Sequence, residues 1–200
     1  MDAEDQQLLV KRLQMGEHAA FQTLVERYHA SMVRLAQTYT NSEAVAQEVT
    51  QDTWLAVLNG IDRFEGRSSF ATWMFRILVN RAKSVAQRER RVVPLDTNEP
   101  AVSPSRFDGN GCWSDPPIPW TDQVDDRVTA AMMKQLIHNA IAELPVQQRQ
   151  VVMLQDVERL EPEAICEILS LDDGHRRVLL HRGRSRVRQI VESQLDRSER

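Results

Sequence analysis

A chain of 200 residues with a formal net charge of −4 and two cysteines has room for one large domain or two small ones. Two cysteines, Cys112 and Cys166, make neither a disulfide framework nor a metal-ligand set, and their spacing does not decide a redox role. No apolar run approaches the ~20 residues of a membrane span and the N-terminus has no signal peptide, so a cytoplasmic protein without membrane insertion is expected.

Residues 2–14 predict a first helix with Leu8, Leu9 and Leu13 on its inner side, ended by Gly16. Residues 17–39 predict a longer one, with Phe21, Leu24, Val25, Tyr28, Met32, Leu35 and Ala36 at helical spacing. Ser42 caps a third helix, to about Asn59, that is apolar on two sides. Val45, Val49 and Ala56 form one stripe; Trp54 and Leu58 form another beside Gln47 and Gln51. Such a helix is either wedged between two neighbours of one bundle or divided between the core and a protein partner, and the pattern alone does not separate these.

After a loop over residues 60–69, Ser68 or Ser69 caps a fourth helix running from Phe70 to about Arg91. Its core side holds Ala71, Met74, Phe75, Leu78, Ala82 and Val85. Opposite stand Trp73, Arg76, Asn80, Lys83 and Gln87. A tryptophan on a basic face suits cation–π packing, but stacking on an unpaired base explains the amide and the cations as well. Phe64 and Phe70 add aromatic surface at the same helix end. Charge is segregated to match: residues 1–65 carry five basic and ten acidic groups, residues 66–92 seven and one. Two separate basic blocks, 66–92 and 174–190, suggest two nucleic-acid contacts on one chain.

Residues 93–122 hold six of the eight prolines, are acidic and show no periodicity, so they predict a flexible linker. Trp113 and Trp120 are unusual in such a stretch, and either tack it onto a domain or dock in a partner. Residues 124–143 then predict a helix with Val128, Met132, Leu136, Ile137 and Ala140 inward, and another follows from Leu144-Pro145 through Leu154.

Pro162 fits a helix first turn, and Ala164, Ile165, Ile168 and Leu169 give that helix a short apolar face. Residues 170–174 break it, and a second helix is expected from about His175 to Glu192. Leu180, Gly183, Val187, Ile190 and Val191 share its core side, with Leu179 at the edge. Arg177, Val178, His181, Arg182, Ser185 and Arg188 point away. From Gly174 to Ile190 there are six arginines and no acid. Two closely joined helices with an arginine-rich second member predict a helix-turn-helix with a duplex-reading helix. The fold class expected is all-α, with two small helical domains, residues 1–92 and 123–200, joined by the linker.

Catalytic chemistry is not apparent. There is no Gly-rich phosphate loop, no HExxH and no CxxC, and the five histidines are scattered. No enzyme activity, metal or cofactor is expected. Glu48 and Asp52 share a helix face at i, i+4, a spacing that by itself denotes only solvated carboxylates.

The ordered set AFQTLVERY, VTQDTWLAVLNGIDRFEGRSSFATWMFRILVNRAKS, LPVQQRQVVMLQDVERLEPEAICEIL and RVLLHRGRSRVR closely resembles the extracytoplasmic-function (ECF) sigma factors of bacterial RNA polymerase. The resemblance implies that residues 1–92 match the sigma-two domain, which binds the polymerase clamp and melts and reads the minus-ten element. Residues 123–200 match the sigma-four domain, which binds the flap and reads the minus-thirty-five duplex. The clamp-binding motif falls on Glu48, Gln51 and Asp52, and the base-capturing loop on residues 62–69. The strand-contacting helix falls on residues 70–83, which gives Phe64, Ser69, Phe70, Trp73, Arg76, Asn80 and Lys83 as minus-ten contacts.

For the minus-thirty-five element the resemblance and the outward face together give His175, Arg176, Arg177, Val178, His181, Arg182 and Ser185. Where many members carry a threonine–valine–basic–serine–arginine run, this chain has His175, Arg176, Arg177, Val178 and Leu179. The implied partners are core RNA polymerase, promoter DNA and an anti-sigma factor, the last common in the family. A conventional helix-turn-helix regulator acting without polymerase is the alternative, and a duplex operator offers no unpaired base for Trp73 to stack on.

Overall fold

The computed structural model of the protein describes residues 3–89 and 130–198. The expected linker, with Cys112, Trp113 and Trp120, lies outside the described residues, as does the first part of the helix expected from residue 124. Every regular element among the described residues is helical: α1 (Ala3–Gln14), α2 (His18–Ala36), α3 (Glu43–Gly60), a 3₁₀ turn (Ile61–Arg63), α4 (Phe70–Arg88), α5 (Ala130–Ala142), α6 (Val146–Val152), a π turn (Met153–Val157), α7 (Pro162–Leu169) and α8 (Asp173–Ser198). They form two compact units. One gathers the described residues of 1–94 with 153–171, the other those of 95–152 with 172–200.

The first unit is a helical bundle whose caps follow from the sequence. Ser42 Oγ accepts from the Val45 N–H at 3.3 Å, and Ser69, rather than Ser68, accepts from the Thr72 N–H at 3.0 Å. Gly16 ends α1 at φ +77°, a left-handed conformation that glycine adopts without a Cβ clash. Leu24, Tyr28, Met32 and Leu35 of α2 meet Val57 of α3 and Met74, Phe75 and Leu78 of α4 in the core. The Tyr28 and Phe75 rings meet edge to face at 6.2 Å.

Two expectations change here. Leu8 is exposed and Val10 takes the buried place beside Leu9 and Leu13. Trp54 does not join Leu58 on a second stripe but turns into the bundle, 5.6 Å from Phe21. Polar residues make that possible: the hydroxyls of buried Thr50 and Thr53 donate back to the carbonyls of Ala46 and Val49, so they enter the core satisfied.

The second unit packs α5 and α6 against α8. Leu179 is fully buried rather than at the edge of the core side, with Leu180, Gly183 and Val191. Its helix begins earlier than expected: the Asp172 carboxylate accepts from the His175 N–H at 2.9 Å, so Gly174 lies in the first turn. Ser170, at φ +62°, closes α7. The break between the two helices is thus three residues with a cap on the far side.

Candidate nucleic-acid interface

The residues expected to meet the polymerase share the open side of α3. Glu48, Gln51 and Asp52 are all exposed, while Ala46, Val49, Thr50, Thr53, Trp54 and Val57 line the opposite, buried side. Asp52 lies 3.5 Å from Arg81 of α4, with both side chains roughly half exposed. Two apolar neighbours complete this side: Leu55 is 59% and Leu58 40% exposed. The sequence pattern placed Leu58 here but passed over Leu55, which stands at i+4 from Gln51. Leu55 and Leu58 thus stand exposed on the same helix as Glu48, Gln51 and Asp52.

Beyond the C-terminal end of α3, Phe64, Phe70 and Trp73 form an aromatic cluster. Ring centroids lie 6.1 Å apart for Phe64–Phe70, 5.1 Å for Phe64–Trp73 and 5.8 Å for Phe70–Trp73. The Trp73 ring edge also runs over Gly60, where a Cβ would come within 3.2 Å of it. Packing therefore accounts for part of the tryptophan on the polar face: it is half-buried, and one side is spent on its own domain. Phe70 is buried and Ser69 is engaged as a helix cap. Beside the cluster a cavity of about 580 Å³ opens, lined by Phe64, Ser68, Ser69 and Phe70 from the loop and by Lys11 and Gln14 from α1. The Gln14 amide donates to the Ile61 carbonyl at 3.0 Å and reaches the Phe64 carbonyl at 3.5 Å, tying α1 to the loop. Nothing in the hydrophobic period of α1 points to Gln14, because its role depends on a contact 47 residues away.

The polar residues of α4 divide between two surroundings. Asn80 is exposed and lines a second cavity, of about 420 Å³, with Asp52, Arg81, Ser84 and Arg88 between α3 and α4. It is not brought into the aromatic loop cavity. Arg76 and Lys83 are half-buried against α7: Arg76 pairs with Glu167, and the Lys83 ammonium donates to the Ile168 carbonyl at 3.1 Å and the Ser170 hydroxyl at 3.2 Å. Partial burial lowers the Lys83 pKa from its ordinary value.

On α8, His175, Arg177, Val178 and His181 are exposed, and Arg182 and Ser185 are half-exposed. Ser185 donates to the His181 carbonyl at 2.9 Å. Val178, 45% exposed, is an apolar side chain held out on a basic helix. Arg176 departs from the rest: only 5% exposed, its guanidinium is bound to Asp173 at 2.6 Å. Arg177 reaches the other oxygen of Asp173, also at 2.6 Å. The Arg176 hydrogen bond, helped by the charges of both arginines, holds the Asp173 carboxyl below its ordinary pKa.

No group of three or more His, Cys, Asp or Glu that could hold a metal ion occurs among the described residues, and none of the described helices is long and apolar enough to cross a membrane.

The chain matches the sigma-70 region 2 family over residues 24–92 and the sigma-70 region 4 family over residues 134–187. It is 30% identical over 183 residues to the ECF RNA polymerase sigma-E factor of Escherichia coli K12, covering 90% of this chain and 91% of that protein. It is 29% identical over 185 residues to the RNA polymerase sigma-H factor of Pseudomonas aeruginosa, covering 92% of each. Among solved structures, CnrH in complex with the cytosolic domain of CnrY is similar in fold, with a TM-score of 0.52 at 17% identity over 94% of this chain and 97% of that one. RpoE of Bartonella quintana, solved with the anti-sigma factor NepR, gives 0.52 at 18% identity over 86% and 96%. The chain belongs to the ECF sigma factors of bacterial RNA polymerase.

Proposed function

We propose that this sigma factor docks on core RNA polymerase through the open side of α3, reads the minus-thirty-five duplex with α8, and captures the melted minus-ten strand at α4 and the loop before it. The observation that carries the reading is the division of α3. Its buried side is complete without Leu55 and Leu58, and these lie exposed among Glu48, Gln51 and Asp52. Arg76 and Lys83 supply cations for a backbone, and the half-buried aromatic cluster beside an open cavity suits an unstacked base. Arg177, His181 and Arg182, with Val178 for a thymine methyl, have the chemistry of major-groove contact. The partners proposed for this chain are core polymerase, promoter DNA and an anti-sigma factor, the last as in the complex of its structural neighbour RpoE with the anti-sigma factor NepR. Its role is to direct initiation without catalysing it.

The test is reconstitution. Purified chain mixed with core polymerase should co-elute and should support opening of a cognate promoter, detected by permanganate reactivity of thymines near the start site. Asn80→Ala should keep co-elution and lose opening. Binding of the chain to duplex DNA with no association to core polymerase would instead identify an ordinary regulator.

A further inference from the structure

The cavity beside the aromatic cluster has two walls, and the proposed function uses only one of them. Phe64, Ser69 and Phe70 come from the loop and the start of α4, whereas Lys11 and Gln14 come from α1. Its volume, about 580 Å³, lies within the ~300–1,000 Å³ over which small-ligand sites are found, and aromatic rings with a few polar groups are their usual lining.

The α1 wall does more than close this space. Gln14 is exposed, and its amide donates to the Ile61 carbonyl at 3.0 Å and reaches the Phe64 carbonyl at 3.5 Å. These two carbonyls bracket the 3₁₀ turn from which the loop departs, so one side chain fixes where Phe64 leaves the turn. Within the loop the side-chain bonds are local: Arg67 donates to the exposed Glu65 carboxylate at 2.8 Å, and the Ser68 hydroxyl donates to the Ser69 carbonyl at 3.4 Å. Gly66 lies between them at φ +72°, where the chain bends freely. The far end of the loop is held by the Ser69 cap. A loop latched at both ends is ordered before its ligand arrives; with the first latch gone, that ordering would have to accompany binding and would weaken it.

Lys11 supplies the charge on this wall. Arg12 beside it is bound to Glu17 at 2.7 Å, and Arg67 of the loop is bound to Glu65. Lys11 is exposed, lines the cavity and has no ion pair among the described residues. It stands three residues before Gln14, on the same face of α1.

We propose that α1 forms the second half of the minus-ten base site. Gln14 is a positioning residue that holds the loop in the form that receives an unstacked base, and the Lys11 ammonium takes the phosphate of the same nucleotide. Both roles rest on the reading of the loop and α4 as the strand-capturing surface, and they extend that surface to an element with no DNA contact assigned so far.

The test assembles the full-length chain with core RNA polymerase and titrates a fluorescent single-stranded oligonucleotide of the cognate minus-ten strand, intact or abasic at one position at a time. In wild type the base that enters the cavity is the one whose removal weakens binding most, by about five- to hundredfold, the worth of one stacked base. Gln14→Glu keeps the size and helix propensity of the side chain but sets a carboxylate, which has no donor, against two carbonyls. It should melt as wild type, bind the intact strand about two- to tenfold more weakly, and bind the strand abasic at that position as wild type does. A residue serving only the stability of the bundle would weaken both strands alike. Lys11→Ala should weaken intact and abasic strands by one common factor and flatten the slope of log affinity against log salt by ~0.7, one phosphate contact on a single strand. Equal losses on both strands for Gln14→Glu, or none, overturn the positioning role, and an unchanged salt slope for Lys11→Ala overturns the phosphate contact. If Phe64→Ala removes the preference for the intact strand while both α1 variants bind as wild type, the reading of the loop stands and α1 has no part in it. If no abasic position weakens wild-type binding and Phe64→Ala has no effect, the loop captures no base and both readings fall.

Discussion

Gly183 of α8 lies against Val152 of α6 so closely that a Cβ on the glycine would stand 2.6 Å from Val152 Cγ2. Val152 is itself buried, and the next neighbours of that Cβ are the carbonyl oxygen and Cβ of fully buried Gln148, at 3.5 and 3.6 Å. None of these is the free end of a flexible side chain. Helix α8 is therefore seated by the absence of a side chain. Gly183→Ala should destabilise the α5–α6–α8 unit by ~1–3 kcal/mol despite the better helix propensity of alanine. Thermal unfolding followed by circular dichroism checks this, and an unchanged or higher melting temperature would show that α6 and α8 separate easily.

The exposed leucines of α3 give the next prediction. Leu55→Ser should leave the stability of the bundle nearly unchanged, because the side chain is already 59% exposed. If the face docks on polymerase, the same change removes apolar surface from the interface and should weaken core binding by ~1–2 kcal/mol, about tenfold. Gln51→Ala with Asp52→Ala should weaken it as well. Affinity for core enzyme measured by fluorescence anisotropy decides, and a Leu55→Ser chain that binds as wild type would take this residue out of the interface.

Much of this arrangement is legible in the sequence, and the rest fails for identifiable reasons. Helical spacing and the caps at Ser42 and Ser69 locate α3 and α4, since both signals are local. Leu8 and Val10 flank Leu9 on opposite sides of the helix, each about 100° away, and which flank is covered depends on where the neighbouring helices lie, which the spacing within α1 does not encode. Trp73 reads as a free stacking platform because its partners, Gly60 and Phe64, lie outside its own helix. Asn80 shares a helical face with Trp73 on paper, yet opens onto the α3 side with Arg81 and Asp52. Gln14 and the α7 contacts of Arg76 and Lys83 depend on distant partners, which periodicity does not encode.

Glu158 makes stability depend on pH. Burial raises its carboxyl pKa, outweighing the Ser31 hydrogen bond and the charges of Arg27 and Arg34, which act to lower it. A group whose native pKa lies above its unfolded value contributes stability that is complete below the unfolded value and lost as pH rises through the native one. Glu158 should therefore make the α1–α4 unit with residues 153–171 less stable as pH rises through that window. Glu158→Gln keeps a hydrogen-bonding side chain that never ionises, so it should remove this part of the slope and match or exceed wild type on the alkaline side. Urea midpoints measured across pH for both chains provide the check, and parallel curves would mean that the carboxyl is not appreciably desolvated.

Arg176, Arg177 and Val178 are consecutive, and the structure gives them three different surroundings. Arg176 is buried with its guanidinium on Asp173, Arg177 extends into solvent while touching the same carboxylate, and Val178 faces outward without polar contact. Their substitutions should separate accordingly. Arg176→Ala removes the buried partner of Asp173 and a side chain that is almost wholly buried, so it should lower the stability of the unit by ~1–3 kcal/mol. Any loss of DNA binding should then follow the loss of fold. Arg177→Ala leaves the fold intact and should weaken duplex binding evenly across sequences, with a shallower salt dependence, if its guanidinium meets a phosphate. Val178→Ala should also spare stability. Its effect should be confined to promoters carrying a thymine at the contacted position, since methyl contact is lost there and nowhere else. Thermal melts beside binding to matched duplexes with single thymine-to-uracil replacements distinguish the three. A Val178→Ala chain that melts well below wild type would mean that the valine packs within its own unit, and the outward face of α8 would have to be redrawn by rotating the helix.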